Sequence, residues 1–358
     1  MKIVGCAYHP GHQQVAVLDT LTGEVGEWKL GHGGGEAERF YRELEAPALI
    51  GMEAVGNTLW FERLVERLGH QLWIGDAAKI RACYVRKQKT DRRDAGHILR
   101  LLVEDRFPRL WVPGEQQRDQ RQLLLHRHKL VGMRTRIKTE LQRGSRQAVF
   151  ACWGVEHLAL NQGLQQKRHL WTKDGRAQLA RLPLEGWTGR RRGDLLALLS
   201  MLESQIEQLD GAVGEAAWGD AQARLLMTQP GVGPVTALAF VLTLGEVSRF
   251  ARSKQVASYL GLIPSERSSG SKRKLGAITK QGNPFLRTLL VEAAQSAVQH
   301  DQQFRKEYRH RCHGKPKGVA KVAAARRLAV RMYWMLRTQT PYPQVAHFEG
   351  SPSHFVVG

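Results

Sequence analysis

The chain of 358 residues has only four cysteines, Cys6, Cys83, Cys152 and Cys312, far apart and never paired as Cys-x-x-Cys. That spacing argues against a disulfide framework and a zinc ribbon, and it fits a reducing cytoplasm. No uninterrupted apolar run approaches the ~20 residues needed to span a bilayer, so no membrane is expected. The start, Met1-Lys2-Ile3-Val4-Gly5, lacks the small-residue cleavage pattern of a signal peptide and reads as a first strand. Acids are scarce. There are 33 Asp and Glu against 54 Lys and Arg, a formal charge of +21 that exceeds what solubility needs and implies a polyanionic partner. A membrane surface is the second candidate, but the cations are not gathered on one amphipathic helix, which leaves nucleic acid first. What the chain does have is a 42% share of hydrophobic residues, arranged in periodic segments, and length for two or three domains.

The few acids are not placed at random. In Thr90-Asp91-Arg92-Arg93-Asp94-Ala95, the residues Ala95, Ile98, Leu99, Leu102 and Val103 continue as an apolar stripe at helical spacing. Asp91 and Asp94 extend that stripe backwards by one turn, with Thr90 as N-cap, so both carboxylates are expected to point inward together. Paired carboxylates at a core edge suit a hard cation such as Mg2+. Acids in a first helical turn also favour the helix dipole with no ligand at all.

Upstream, residues 2–8, Gln13 to Asp19 and Val25 to Leu30 read as an antiparallel meander, followed by a helix from Glu36 to about Glu45. Ala48 to Glu53 is an apolar run closing on an acid, a buried strand with Glu53 at its carboxyl end, where open α/β sheets gather ligand groups. A helix over Phe61 to Leu68 stops at Gly69, Leu72 to Ile74 adds a short strand, and a basic segment leads to Asp91. The pattern predicts a mixed α/β sheet with helices packed on it.

From about Pro113 the chain turns to long charged helices, Arg118 to Gln142 and Asp194 to Leu209, which can form a hairpin or a coiled-coil seam between protomers. The run Arg190-Arg191-Arg192 ends the segment between them and is a candidate phosphate contact, or simply a solvated face. Leu225 to Ala237 reads as helix, glycine hairpin, helix, similar to the helix-hairpin-helix element that grips a nucleic-acid backbone through Gly231 and Gly233; a plain turn between core helices is the alternative. The stretch from Pro264 to Lys274 sets Ser268, Ser269 and Ser271 among Arg267, Lys272, Arg273 and Lys274, a setting in which a serine can attack a phosphodiester; as composition alone it is a basic linker. Asn283 and Arg287 open the next helix, and a tail from Pro341 is expected to fray.

With Glu53, Thr90 to Ala95, Gly231 to Ala237, Ser268-Ser269-Gly270 and Gly282 to Arg287 in this order, the chain resembles a transposase of the insertion sequence 110 family over residues 1 to about 340. The resemblance implies a RuvC-like (ribonuclease H-like) DEDD domain over 1–110 and a helical linker with a possible oligomerising coiled coil over 111–215. A mainly α C-terminal domain with a serine nucleophile would follow over 216–340, and a tail over 341–358. It implies Mg2+ held by Glu53, Asp91 and Asp94, and Ser269 as nucleophile with Ser268 its rival. The implied partners are donor and target DNA, a structured guide (bridge) RNA encoded beside the gene, and further copies of the chain as dimer or tetramer. Nucleic-acid contacts are expected from Arg190, Arg191, Arg192, Gly231, Gly233, Lys272, Arg273, Lys274, Asn283 and Arg287. One family position departs. Where the family carries its first aspartate, this chain has Ala7, which is expected to weaken metal binding and cleavage while leaving the fold intact. A Holliday-junction-type nuclease using water, and a non-catalytic nucleic-acid scaffold, are the competing readings.

Overall fold

The computed structural model describes residues 1–84, 90–139, 159, 169–268 and 274–344, and the chain divides into two compact units, 1–112 and 113–358. Ser269, Lys272 and Arg273 lie outside the described residues.

In the first unit the strands β1 (Lys2–Tyr8), β2 (His12–Asp19) and β3 (Val25–Gly31) form the expected meander. Helix α1 (Glu36–Glu43), strand β4 (Leu49–Glu53), helix α2 (Leu59–Arg67) and strand β5 (Gln71–Gly75) follow, then α3 (Ala77–Ala82) and α4 (Asp91–Val103). The sheet order is β3-β2-β1-β4-β5, with β1 antiparallel to β2 and parallel to β4. Alternation along β1 separates two cores. Val4, Cys6 and Tyr8 face α1 and α2, packing with Tyr41, Phe61 and Val65, while Ile3 and Ala7 face the other way among Ala95, Ile98, Leu99 and Leu102 of α4. Cys6 is fully buried and donates to Gln13 Oε1 at 2.9 Å; burial pushes its thiol up to about 12, so it is a core residue and not a reactive one. The helix α3 has no counterpart in the sequence reading. It is short, and what starts it is Asp76, whose carboxylate accepts from the N–H groups of Ala78 and Lys79.

The second unit opens with α5 (Glu115–Thr139), α6 (Lys173–Arg181) and α7 (Gly186–Gly219). α5 packs along α7 within one chain, and Leu195, Leu199, Leu202 and Ile206 of α7 are buried with Leu130 and Ile137 of α5. This is the hairpin alternative for the two long helices. Helix α7 begins earlier than its leucine spacing indicated, so Arg190, Arg191 and Arg192 stand in its opening turns instead of ending an inter-helix segment. The expected boundary at 215/216 falls inside α7, whose Val213 and Ala217 belong to the next core.

That core is built by α8 (Ala221–Met227), α9 (Pro234–Leu244), α10 (Ser253–Tyr259), α11 (Pro284–His300), α12 (Gln302–Gly314) and α13 (Lys317–Thr338), with a hairpin of β6 (Pro264–Glu266) and β7 (Leu275–Ile278) emerging between α10 and α11. From Thr236 to Leu242 every residue of α9 is buried, so α9 is the helix the others surround. Inside this apolar layer Arg331, with no exposed surface, bonds Asp301 at 3.1 Å and Gln229 at 3.4 Å. Asp301 also caps α12 by accepting from Phe304 N–H at 3.0 Å. A buried pair contributes little net stability, but removing one partner strands a charge.

Two outcomes are expected. Asp301→Ala should lower unfolding stability by about 3–5 kcal/mol in chemical denaturation, and adding Arg331→Met should recover part of that loss. Glu203 on α7 is gripped by Arg176 at 2.6 Å and Lys138 at 3.0 Å. The Arg176 hydrogen bonds, with those of Lys138, outweigh burial and hold its carboxyl at about 2 instead of 4.5. A depressed carboxylate stabilises the fold above its unfolded value and loses that contribution as pH falls from 4.5 toward 2. Glu203→Gln should therefore lower the melting temperature at pH 7 and flatten its fall below pH 4.5, for about 1–2 kcal/mol after solvent screening.

Candidate functional site

The first unit places its acids by an unusually close helix-on-strand contact. A Cβ on Gly5 would stand 2.2 Å from Ala95 O and 2.4 Å from Leu99 N, so α4 lies directly on the backbone of β1. At Gly51 of β4 the same added atom would meet Leu102 at 2.7 Å. One alternation further toward the carboxyl ends of these parallel strands, on the same face, stand Ala7 and Glu53. Thr90 takes up an extended conformation and its hydroxyl accepts from Arg93 N–H at 3.3 Å, starting α4 as expected and setting Asp91 and Asp94 in its first turn.

The two aspartates do not act as one inward pair. Asp91 is 44% exposed and faces the β1–β2 turn, with one oxygen 3.2 Å from His9 Nε2 and the other 3.4 Å from His12 Nε2. Burial pushes its carboxyl upward, but the hydrogen bonds and charges of His12 and His9 prevail and hold it below the ordinary aspartate value. Asp94 turns to Tyr84, whose hydroxyl donates to Oδ1 at 2.5 Å. Burial first, then the Asp94 hydrogen bond, then the charges of Asp94 and Glu53 push the Tyr84 hydroxyl well above a free tyrosine, so Tyr84 stays a proton donor and senses both carboxylates. His97 lies against Tyr84 with ring centroids 4.2 Å apart and planes tilted by 32°, faces Ile80 O at 3.3 Å and accepts from Arg100 at 3.1 Å. Its imidazole is held below the usual value, chiefly by burial. The correction to the sequence reading has a plain cause. Residues three apart on a helix diverge by about 60° in direction, enough for flanking loops to claim one each.

Ala7, 6% exposed, is part of the apolar layer under α4 and offers no donor. Sequence reasoning missed His9, His12 and Tyr84. The signal available was His9-Pro10-Gly11-His12, a turn sequence with a histidine at each end.

The C-terminal candidates are held by internal contacts. Ser268 is exposed at the neck of the β6–β7 hairpin, donates to Glu266 Oε1 at 2.7 Å and accepts from Lys274 N–H at 3.3 Å, while Arg267 N–H bonds Lys274 O at 2.9 Å. Strand β6 takes up only the first three residues of the stretch read as a basic loop and β7 begins directly after it, while Ser269 lies outside the described residues. Gly231 has φ of 86° and packs on α11, where a Cβ would meet Ala297 N at 2.5 Å. Its glycine is required by helix packing, the turn alternative; Gly233 is exposed with open space around it. Asn283 caps α11 by accepting from Phe285 and Leu286 N–H, and Arg287 bonds the carbonyl of Gln281. Arg190 pairs with Asp194 at 3.0 Å, and Arg192 bonds the carbonyl of Leu182.

A mixed sheet carrying acids at the carboxyl ends of β4 and in the first turn of α4, followed by a mainly helical region, is the architecture of a RuvC-like DEDD domain joined to a helical partner. Residues 12–144 match the IS110 DEDD family model, described as a transposase, and residues 223–309 match the model described as the transposase IS116/IS110/IS902 family. The chain is 29% identical to a probable family 20 transposase of Pseudomonas aeruginosa, over 72% of this chain and 73% of that one. It is 29% identical to a putative transposase of Sinorhizobium fredii, y4pF/y4sB, over 85% and 76%, respectively. To the transposase for insertion sequence element IS1111A of Coxiella burnetii it is 30% identical, over 61% of this chain and 57% of that one. With both domain matches in order, the chain belongs to the IS110 family of insertion-sequence transposases.

Because the acids are positioned through Gly5, Gly5→Ala should lower stability by about 1–3 kcal/mol by forcing α4 off β1. Near-ultraviolet circular dichroism should change with it, as Tyr84 loses its packing; an unchanged melting curve would contradict this account.

Proposed function

We propose that the protein is a DNA recombinase that cuts and rejoins insertion-sequence DNA under the direction of a structured guide RNA, working as a homo-oligomer. The observation that carries this reading is the placement of Glu53 at the carboxyl end of β4 and of Asp91 and Asp94 in the first turn of α4, the helix packed on β1 and β4, in a chain of charge +21. Such a donor set fits a hard dication, because carboxylate oxygens are the ligands Mg2+ prefers. Glu53, Asp94 and Asp91 would hold it, and its chemistry would be to draw charge from a phosphodiester oxygen. The protein's own residues supply the rest. Tyr84 fixes the rotamer of Asp94, and α4, pinned on Gly5, fixes the distance of both aspartates from Glu53. Ser269, between β6 and β7 in sequence, is the proposed nucleophile. Its oxygen would bond phosphorus and release one sugar oxygen as a hydroxyl; reversal by another strand's hydroxyl would complete exchange. Lys272, Arg273 and Lys274 would screen the phosphate charge. Leu198 and Met201, 39% and 51% exposed on the outer side of α7, support assembly with further copies.

Ala7 makes this chain a weakened member. Its methyl closes an apolar layer where a fourth carboxylate would otherwise stand. Ala7→Asp should lower the melting temperature in chelator, since it adds a charge beside Glu53, and millimolar Mg2+ should restore it while DNA cleavage rises. In that background Ser269→Ala should abolish the covalent protein–DNA adduct seen after denaturing electrophoresis, with DNA binding retained. Cleavage without an adduct would instead indicate a junction nuclease using water. A discrete RNA copurifying through a moderate-salt wash would support guidance; a heterogeneous smear would count against it.

A further inference from the structure

We propose that His9, His12 and Asp91 form a binding site for a borderline transition-metal dication, of which zinc is the type case, meeting the Glu53 and Asp94 carboxylates only at the shared Asp91. The site is built by the β1–β2 turn. His9 N–H bonds His12 O at 2.9 Å across Pro10-Gly11, which brings both imidazoles to one side, stacked with centroids 4.9 Å apart and planes 20° from parallel. Both Nε2 atoms then aim at Asp91, and the three ligand atoms lie within 4.8 Å of one another.

Each imidazole faces its own oxygen of the Asp91 carboxylate, His9 at 3.2 Å and His12 at 3.4 Å, so the three side chains converge closely enough to share one ion. The donor chemistry selects the metal, because imidazole suits zinc, copper, iron or nickel better than magnesium, which takes oxygen. Three protein ligands leave a position for water or a phosphate oxygen, and the site is open to receive one, with His9, His12 and Asp91 side chains 41%, 32% and 44% exposed. All three ligands belong to the first unit, so the inference does not rest on the recombinase reading.

The test uses the full chain without a histidine tag, stripped with chelator and titrated with Co2+ while visible d–d absorption is followed. One saturable ion per chain is expected, displaced by Zn2+ and not by Mg2+. His12→Gln and His9→Gln should each weaken binding by about tenfold or more. Both side chains sit in an exposed turn, and far-ultraviolet circular dichroism will verify that the variants fold. Glu53→Gln combined with Asp94→Asn should leave the Co2+ band in place, since those carboxylates belong to the other site. No saturable band in the parent, unchanged affinity in His12→Gln, or loss of the band in the Glu53/Asp94 variant would each overturn the proposal. Failure of the recombinase reading would appear separately, in the DNA adduct and RNA assays.

Discussion

The contact on which the first unit depends is backbone on backbone, α4 against β1 at Gly5. With 2.2 Å between a would-be Cβ and Ala95 O, no side chain could stand between helix and strand there. Everything chemical follows from that closeness. It lowers the first turn of α4 to the level of the sheet's carboxyl edge, within reach of both the turn that begins at His9 and the segment that carries Tyr84. Any larger residue at position 5 would raise the helix and move Asp91 and Asp94 away from Glu53.

The second constraint is electrostatic. A chain with 33 acids and 54 Lys and Arg has cations in surplus, so a group of carboxylates could easily be quenched by arginine. At the sheet edge a tyrosine hydroxyl and two imidazoles are among the partners of the aspartates. Asp94 is satisfied by a tyrosine hydroxyl and Asp91 by two imidazoles, groups a metal or phosphate can displace at little cost compared with a guanidinium fork. Elsewhere the arginines are engaged with carbonyls and acids, as Arg192 is with Leu182 and Arg331 with Asp301. The arginine runs that composition marks as phosphate contacts are thus partly structural. Net charge reports the partner class better than it reports individual contact residues.

How much of this was legible in the sequence follows from the range of the interactions. The β1 to β3 meander, the strand ending in Glu53 and the Thr90 cap were legible because alternation, apolar runs and capping are local signals. The β6–β7 hairpin was not, since its strands are only three and four residues long, flank a span rich in Ser, Lys and Arg, and pair through main-chain bonds such as Arg267 to Lys274. α3 is too short for a periodicity. The start of α7 at Gly186 was hidden by an arginine run with no apolar stripe of its own. In the site, residue types were readable and their partners were not. That Asp91 would meet His9 and His12, about eighty positions earlier, depends on how a turn and a helix start are brought together by Gly5.

The position of Ala7 gains its meaning from the same arrangement. Four carboxylates at one sheet edge would repel one another strongly enough to oppose folding unless a cation were bound. With a methyl at position 7 the remaining three are each accommodated: Asp91 by imidazoles, Asp94 by Tyr84, and Glu53 half-buried at the end of its strand. The sheet edge can therefore close without a metal ion, because its negative charge is already divided among neighbours. A fourth acid would remove that independence and make the order of the edge conditional on the cation. The alanine thus leaves one charge fewer at an edge whose aspartates already have tyrosine and imidazole partners.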